Sequence, residues 1–271
     1  MNQIIKDAKT GMCYREWIAP HPEAVLLLVH GLGGHSGRWT SLAEFFLQEG
    51  ISSYAIELKG FGQTPELKGH VGSFDQYTED ICRLGELITE KDPGKKIFLL
   101  GESMGGLISF MIAALEPGLF GGLVCISPAF SSNLKFTMVE HVKILWNMML
   151  NPEKQFRLPF DSEMCTRDSE CRQVLDEDPA EHRFATAGLL RGIALAQMRG
   201  AAFARRIETS VLFLLAGQDD LVKSEASEKV FRALKTKGKT LIKYPEMRHA
   251  LSIGLGREKV FSDILNWLRK T

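Results

Sequence analysis

Residues 96–105 read Lys-Ile-Phe-Leu-Leu-Gly-Glu-Ser-Met-Gly, an apolar run that stops abruptly at Gly101-Glu102-Ser103-Met104-Gly105. The last five residues fit G-x-S-x-G, the nucleophile elbow, in which a strand turns sharply into a helix and leaves the central serine exposed at the sheet edge. The serine backbone is unfavourable in such a turn, and the flanking glycines let strand and helix approach closely. As a bare string the pattern also fits a helix N-terminus capped by Ser103. Context favours the elbow, because leucine and β-branched residues precede it and the stretch from Gly106 to Ala114 has helical character.

An elbow serine needs a base, and the base needs an acid to orient it. Downstream, the apolar run Val211 to Ala216 leads into Gly217-Gln218-Asp219-Asp220-Leu221-Val222, an acidic pair just past a predicted strand. The shorter strand Thr240 to Tyr244 leads into Pro245-Glu246-Met247-Arg248-His249-Ala250. The order serine, aspartate, histidine is that of the α/β-hydrolases, and each member lies just beyond a strand end, where open α/β sheets collect functional groups. An oxyanion hole requires two backbone N–H groups aimed at the attacked carbonyl oxygen. The strand Ala24 to Val29 runs into His30-Gly31-Leu32-Gly33-Gly34-His35 at the position of the oxyanion loop, which assigns the donors as the amides of Leu32 and Met104. A nucleotide-phosphate loop is the rival for this glycine run, but neither G-x-G-x-x-G nor a G-K-[ST] ending is present.

These residues carry a resemblance that runs nearly end to end. Residues 30–39, HGLGGHSGRW, are similar to HGxGEHSGRY of the monoacylglycerol lipases and lysophospholipases of the α/β-hydrolase superfamily, and residues 101–106, GESMGG, to their GHSMGG. Residues 57–64 resemble the family's D-x-R-G-x-G-x-S turn, and Tyr244 to His249 with Trp267-Leu268 resembles its final loop and helix. The resemblance implies Ser103 as nucleophile, Asp219 as acid, His249 as base, and Leu32 and Met104 as oxyanion donors. Asp219 is preferred over Asp220 because its D-x-x-V spacing to Val222 resembles the family's D-x-x-[VC], and a solvated turn carboxylate explains the neighbour. The chain departs from the pattern at Gly34, where the family often has glutamate, and at Glu102, where the monoacylglycerol lipases usually have histidine. Glu102 is expected to pair with Arg38 and so fix the oxyanion loop.

A chain of 271 residues with 45% hydrophobic and 24% charged content can bury a full core, and it suits one domain with an insertion. Zero formal net charge gives no electrostatic case for nucleic acid. Cys13, Cys82, Cys125, Cys165 and Cys171 are odd in number and form no CxxC pair, and no secretory pattern heads the chain. Reduced thiols in a cytoplasmic protein are therefore expected. Cys165, Cys171 and His182 could form a metal cluster, but two unrelated thiols are the simpler reading; no metal or cofactor is called for.

Along the chain, strands are expected around 12–18, 24–29, 51–58, 97–100, 123–126, 210–216 and 240–244, and helices around 39–48 and 76–91. In the second of these helices Tyr77, Ile81, Leu84 and Ile88 line one face. The alternation implies a mostly parallel, twisted, helix-covered sheet, and the resemblance adds an antiparallel start. Between Pro128 and Ile207 no strand pattern recurs. The division expected is an α/β-hydrolase core of residues 1–127 and 208–271, with a helical cap inserted over 128–207.

The first cap helix, Met138 to Leu150, is apolar around most of its circumference, whereas a surface helix needs only one apolar stripe. Met138, Val142, Leu145 and Met149 on one face are the expected substrate-binding residues, lining an acyl channel or touching a membrane surface. Packing of both faces within the cap explains the pattern as well. Asp161-Ser162, Asp178-Pro179, read as a turn before a helix, and a helix from Ala185 to Met198 continue the cap. The chemistry that follows is transfer of an acyl group from a small-molecule ester or lipid to water. Small soluble or aryl esters, thioesters, or a non-catalytic binding role on the same scaffold stand as alternatives.

Overall fold

The computed structural model describes residues 3–271. The chain opens with β1 (Ile5–Lys6), β2 (Cys13–Trp17) and β3 (Ala24–Val29), then a 3₁₀ turn (Ser36–Trp39) that runs into α1 (Thr40–Gln48). Next come β4 (Ile51–Glu57), α2 (Asp75–Lys91), β5 (Lys96–Glu102), α3 (Met104–Leu115) and β6 (Gly122–Ile126). An insertion follows: α4 (Met138–Leu150), β7 (Gln155–Arg157), α5 (Ser162–Cys165), α6 (Ser169–Glu177), β8 (Phe184–Thr186) and α7 (Ala187–Ala204). The chain then returns as β9 (Ser210–Ala216), α8 (Ser224–Ala233), β10 (Lys239–Tyr244) and α9 (Arg257–Leu268).

The main sheet has the order β1-β2-β4-β3-β5-β6-β9-β10. From β4 to β10 every pairing is parallel, and β1 and β2 add the antiparallel edge. Alternate residues of the central strands face opposite layers. Leu27, Leu99, Leu123 and Phe213 point toward α2, α3 and α7, whereas Leu26, Leu100, Val124 and Leu212 point toward α1 and α9. Strands buried on both faces read as unbroken apolar runs, which is why AVLLLV and SVLFLLA stand out in the sequence. Each fully buried Leu or Val of β3 contributes about 1.5–3 kcal/mol of burial. This parallel, doubly covered sheet is the α/β-hydrolase fold.

Two elements differ from the sequence expectation. The insertion is not purely helical, because β7 and β8 form a short antiparallel ladder with Phe156 opposite Ala185. Three-residue strands carry too few positions for a period of two to show. Asp178-Pro179 precedes β8 and not a helix directly, with Asp178 closing the C-terminus of α6. Among the described residues no helix is long and apolar enough to cross a membrane.

The junction of β5 and α3 sets the tightest packing. A Cβ on Gly101 would lie 2.3 Å from the Gly105 carbonyl oxygen, and one on Gly105 would lie 2.1 Å from that of Val29 at the end of β3. Backbone cannot yield by that much, so Gly105→Ala is expected to destabilise the protein by about 3 kcal/mol or more. Gly72→Ala, whose added methyl would meet only the Gln76 side chain at 3.7 Å, is the control. Equal melting temperatures for the two variants would contradict this packing account.

Candidate active site

Ser103 stands between β5 and α3 at φ 58° and ψ −119°, a left-handed backbone that a residue with a side chain rarely adopts. Its neighbours over-determine that geometry. Ser103 N–H donates to the Ile126 carbonyl at 2.9 Å, and its own carbonyl accepts from Ala129 N–H at 3.0 Å and Leu107 N–H at 3.1 Å. The amide of Met104, the first residue of α3, follows at once and shares the positive end of the helix dipole.

Asp219 and His249 meet in the loops after β9 and β10. His249 Nδ1–H donates to Asp219 Oδ2 at 2.8 Å, with both side chains buried. The other carboxylate oxygen, Oδ1, accepts the backbone N–H groups of Leu221 and Val222, each at 2.9 Å. One oxygen is thus fixed by the chain's own turn and the other is aimed at the imidazole. Asp220 is more than half exposed and lies 3.5 Å from Arg248, away from the histidine. Burial works against the charged form of His249, but the Asp219 charge and hydrogen bond, with Glu102 nearby, outweigh it and leave the pKa above the ordinary histidine value of 6.5. With Nδ1 committed to Asp219, Nε2 is the nitrogen left to accept a proton.

Ser103 and His249 line one cavity of about 370 Å³, together with Leu32, Met104, Gly31 and Glu102. Among the described residues no hydrogen bond joins Ser103 Oγ to His249; such contacts often tighten only in the Michaelis complex. The remaining wall is largely apolar, formed by Leu134, Phe136, Phe160, Leu190 and Ile193 and roofed by Ile144, Leu145 and Met148 of α4. Of the four α4 residues picked out by sequence, only Leu145 lines the cavity. Met138, Val142 and Met149 lie on the exposed side, and buried Ile144 with Met148 takes their place.

The loop carrying Leu32 is fixed from the core side by His30. Leu58 N–H donates to His30 Nε2 at 3.1 Å, so that nitrogen is the acceptor and Nδ1 carries the proton to the Gly31 carbonyl at 2.8 Å. Burial holds the His30 pKa down to about 4, and the ring stays neutral at pH 7. Sequence reading assigned His30 no task; the signal was its place at the exact end of a buried strand.

Glu102 does not pair with Arg38. It is buried and its carboxylate accepts Ser252 N–H at 3.1 Å and Ser252 Oγ–H at 2.8 Å, tying the end of β5 to the loop that carries His249. Burial pushes its pKa up. Arg38 is instead bound by Glu181 of the insertion. The sequence linked Glu102 to Arg38 by proximity to the same loop; the actual partners are 143 and 150 positions away in the chain and leave no local trace. Among the described residues no three His, Cys, Asp or Glu side chains converge as metal ligands would. His182 contacts the Gly60 carbonyl and stacks on Phe61, and all five cysteines are free.

A parallel sheet with serine, aspartate and histidine on its strand-end loops defines the class of α/β-hydrolases. Residues 20–253 match the Hydrolase_4 family, described as serine aminopeptidase, S33, and the chain belongs to that family. It is 30% identical over 254 residues to the monoglyceride lipase of Homo sapiens, covering 91% of this chain and 82% of the human one. The crystal structure of Paleococcus ferrophilus monoacylglycerol lipase superposes with a TM-score of 0.84 at 27% identity, over 95% of this chain and 98% of that one. A soluble variant of the Saccharomyces cerevisiae monoglyceride lipase shares the fold, with a TM-score of 0.88 at 21% identity over 100% of this chain and 95% of that one.

A histidine that acts as base must be neutral, so kcat/KM is expected to rise with pH through a midpoint above 6.5. Asp219→Asn removes the charge that lifts that midpoint, so the acid limb moves down while kcat falls by about 10⁴-fold. Asp220→Asn leaves both nearly unchanged. The opposite ranking of the two variants, read from pH–rate profiles, would move the acid to Asp220.

Proposed function

We propose that this carboxylic ester hydrolase cleaves monoacylglycerol-type lipids by a serine mechanism. The observation that carries the reading is the apolar cavity that ends at Ser103 and His249, beneath α4 and beside the Leu32 loop. Ser103 Oγ attacks the ester carbonyl carbon while His249 Nε2 takes its proton. The carbonyl electron pair moves onto oxygen, where the amides of Leu32 and Met104 receive the negative charge. Collapse breaks the bond to the alcohol, which leaves with the proton from His249. Water, deprotonated by the same nitrogen, then attacks the acyl-enzyme carbonyl; the bond to Ser103 Oγ breaks, His249 returns the proton to that oxygen, and the fatty acid leaves. Asp219 keeps the imidazole oriented throughout. The cavity wall would hold the acyl chain, and no metal or cofactor enters any step.

The outer face of the insertion supports contact with the surface that holds such a substrate. Met138, Val142, Trp146 and Met149 of α4 and Met198 of α7 are each more than 60% exposed, and α4 packs on α7. Exposed apolar patches of this kind mark interaction sites. This face rests on a lipid surface and passes substrate inward past Leu145. A cytoplasmic protein bound peripherally to a membrane agrees with the free thiols.

Mass spectrometry of products from 1-monooleoylglycerol, lysophosphatidylcholine and p-nitrophenyl acetate tests the reading. The monoacylglycerol is expected to give the highest kcat/KM, and Ser103→Ala to lower kcat by about 10⁶-fold or to background. Joint substitution of Met138 and Met149 by serine should slow hydrolysis of vesicle-borne substrate but not of the soluble acetate. A preference for the acetate, or activity that survives Ser103→Ala, would overturn the proposal.

A further inference from the structure

The insertion is hydrogen-bonded to the Leu32 loop through one short turn, residues 178–182. His182 backbone N–H donates to the Gly33 carbonyl at 3.1 Å. Arg38 gives Glu181 a two-pronged pair, Nε to Oε1 at 2.5 Å and Nη2 to Oε2 at 2.6 Å. His35 Nδ1 accepts Gly37 N–H at 3.1 Å, so Nε2 carries the proton to Asp178 Oδ2 at 3.0 Å. The fit is close: Gly33 sits at φ +84°, and a Cβ there would lie 2.4 Å from the His182 carbonyl oxygen. The core reaches the loop before Leu32 at Gly31, through His30, and farther on at Ser36, through Glu57. Leu32 therefore lies between a core tether at Gly31 and an insertion tether that begins at Gly33.

We infer that Glu181 is a positioning residue for the oxyanion hole: by clamping Arg38 next to the His182–Gly33 bond, it fixes the direction of the Leu32 N–H. The inference rests on the serine mechanism proposed above. Three features set this ion pair apart from an ordinary surface bridge. Its side chains are only 14% and 10% exposed, so water and salt screen it little. Both of the Arg38 nitrogens used are in register with both carboxylate oxygens, which fixes orientation as well as distance. Arg38 also lines the reaction cavity beside Glu102. The other groups facing it are His35, 3.7 Å from Glu181 Oε1, and the buried Cys165 thiol.

Gly34 provides the decisive control. An added Cβ at this position would lie 3.0 Å from Arg38 Nε and 3.1 Å from its Cζ, so a carboxylate carried on residue 34 would reach the same guanidinium from inside the loop. The chain has no side chain there, and its acid comes from the insertion.

The experiment compares Glu181→Gln, Gly34→Glu and the double variant. Glu181→Gln keeps the shape and removes the charge; kcat on a monoacylglycerol is expected to fall by up to about 10²-fold with KM little changed. Affinity for a trifluoromethyl ketone, which forms the oxyanion adduct with Ser103, should fall in step with kcat/KM, because both report the same charge. Gly34→Glu alone should impair turnover by crowding a pinned Arg38. In the Glu181→Gln background it should restore kcat, since Arg38 is then free to turn toward the new carboxylate, giving a strongly non-additive cycle. If Glu181→Gln does not fold, Arg38→Lys makes the same comparison by keeping the charge and losing the two-pronged geometry.

Wild-type kcat in Glu181→Gln, unchanged ketone affinity, or a loss that Gly34→Glu fails to restore would each overturn the inference alone. Absence of Ser103-dependent hydrolysis in the wild type would overturn the mechanism beneath it.

Discussion

The close approach of α3 to the end of β3 is the constraint on which everything else depends. Because Gly105 lets the helix backbone pass the Val29 carbonyl, the chain can reverse between β5 and α3 within one residue, and Ser103 is that residue. The strain of its left-handed backbone is offset by hydrogen bonds to Ile126, Ala129 and Leu107. The same turn brings the Met104 amide, the proposed second oxyanion donor, to the base of the cavity. A longer, relaxed turn would satisfy the backbone and lose the alignment of hydroxyl, amide and helix dipole.

Around this turn three buried carboxylates with defined partners hold the loops. Asp219 divides its two oxygens between its own turn and His249. Glu102 reaches across to Ser252, tying the end of β5 to the loop that follows His249. Glu57 receives Ser36 N–H at 2.7 Å and Gln63 N–H at 2.8 Å, which steadies the start of the 3₁₀ turn. Burial raises the carboxyl pKa of Glu57, while His30 and these donors bring it below the ordinary value. Removing one member of such a pair leaves an uncompensated group in the interior, which costs far more than an exposed bridge is worth. The candidate site is therefore tied by hydrogen bonds around His249 and Glu102, and its cavity wall is largely apolar.

Much of this was legible in the sequence, for reasons that differ by element. The strands Ala24–Val29 and Ser210–Ala216 and the helix Met138–Leu150 fall where the apolar patterns place them, because burial on both faces, or a strong helical run, marks their ends. Ser103 and Asp219 were readable because their constraints are local: two flanking glycines in one case, and amides two and three residues on in the other. The partners of Arg38 and Glu102 were not, since each is set by tertiary packing across more than a hundred residues. Periodicity alone left the role of each α4 face open. It marked the helix as apolar around most of its circumference; Ile144, Leu145 and Met148 line the cavity, while Met138, Val142 and Met149 are exposed.

The most direct test of the central claim is a crystal structure of the protein after reaction with a long-chain fluorophosphonate. The account predicts a covalent bond to Ser103 Oγ, the phosphoryl oxygen about 2.7–3.1 Å from the amides of both Leu32 and Met104, and the alkyl chain beneath α4. An adduct on any other residue, or a phosphoryl oxygen turned away from both amides, would contradict it.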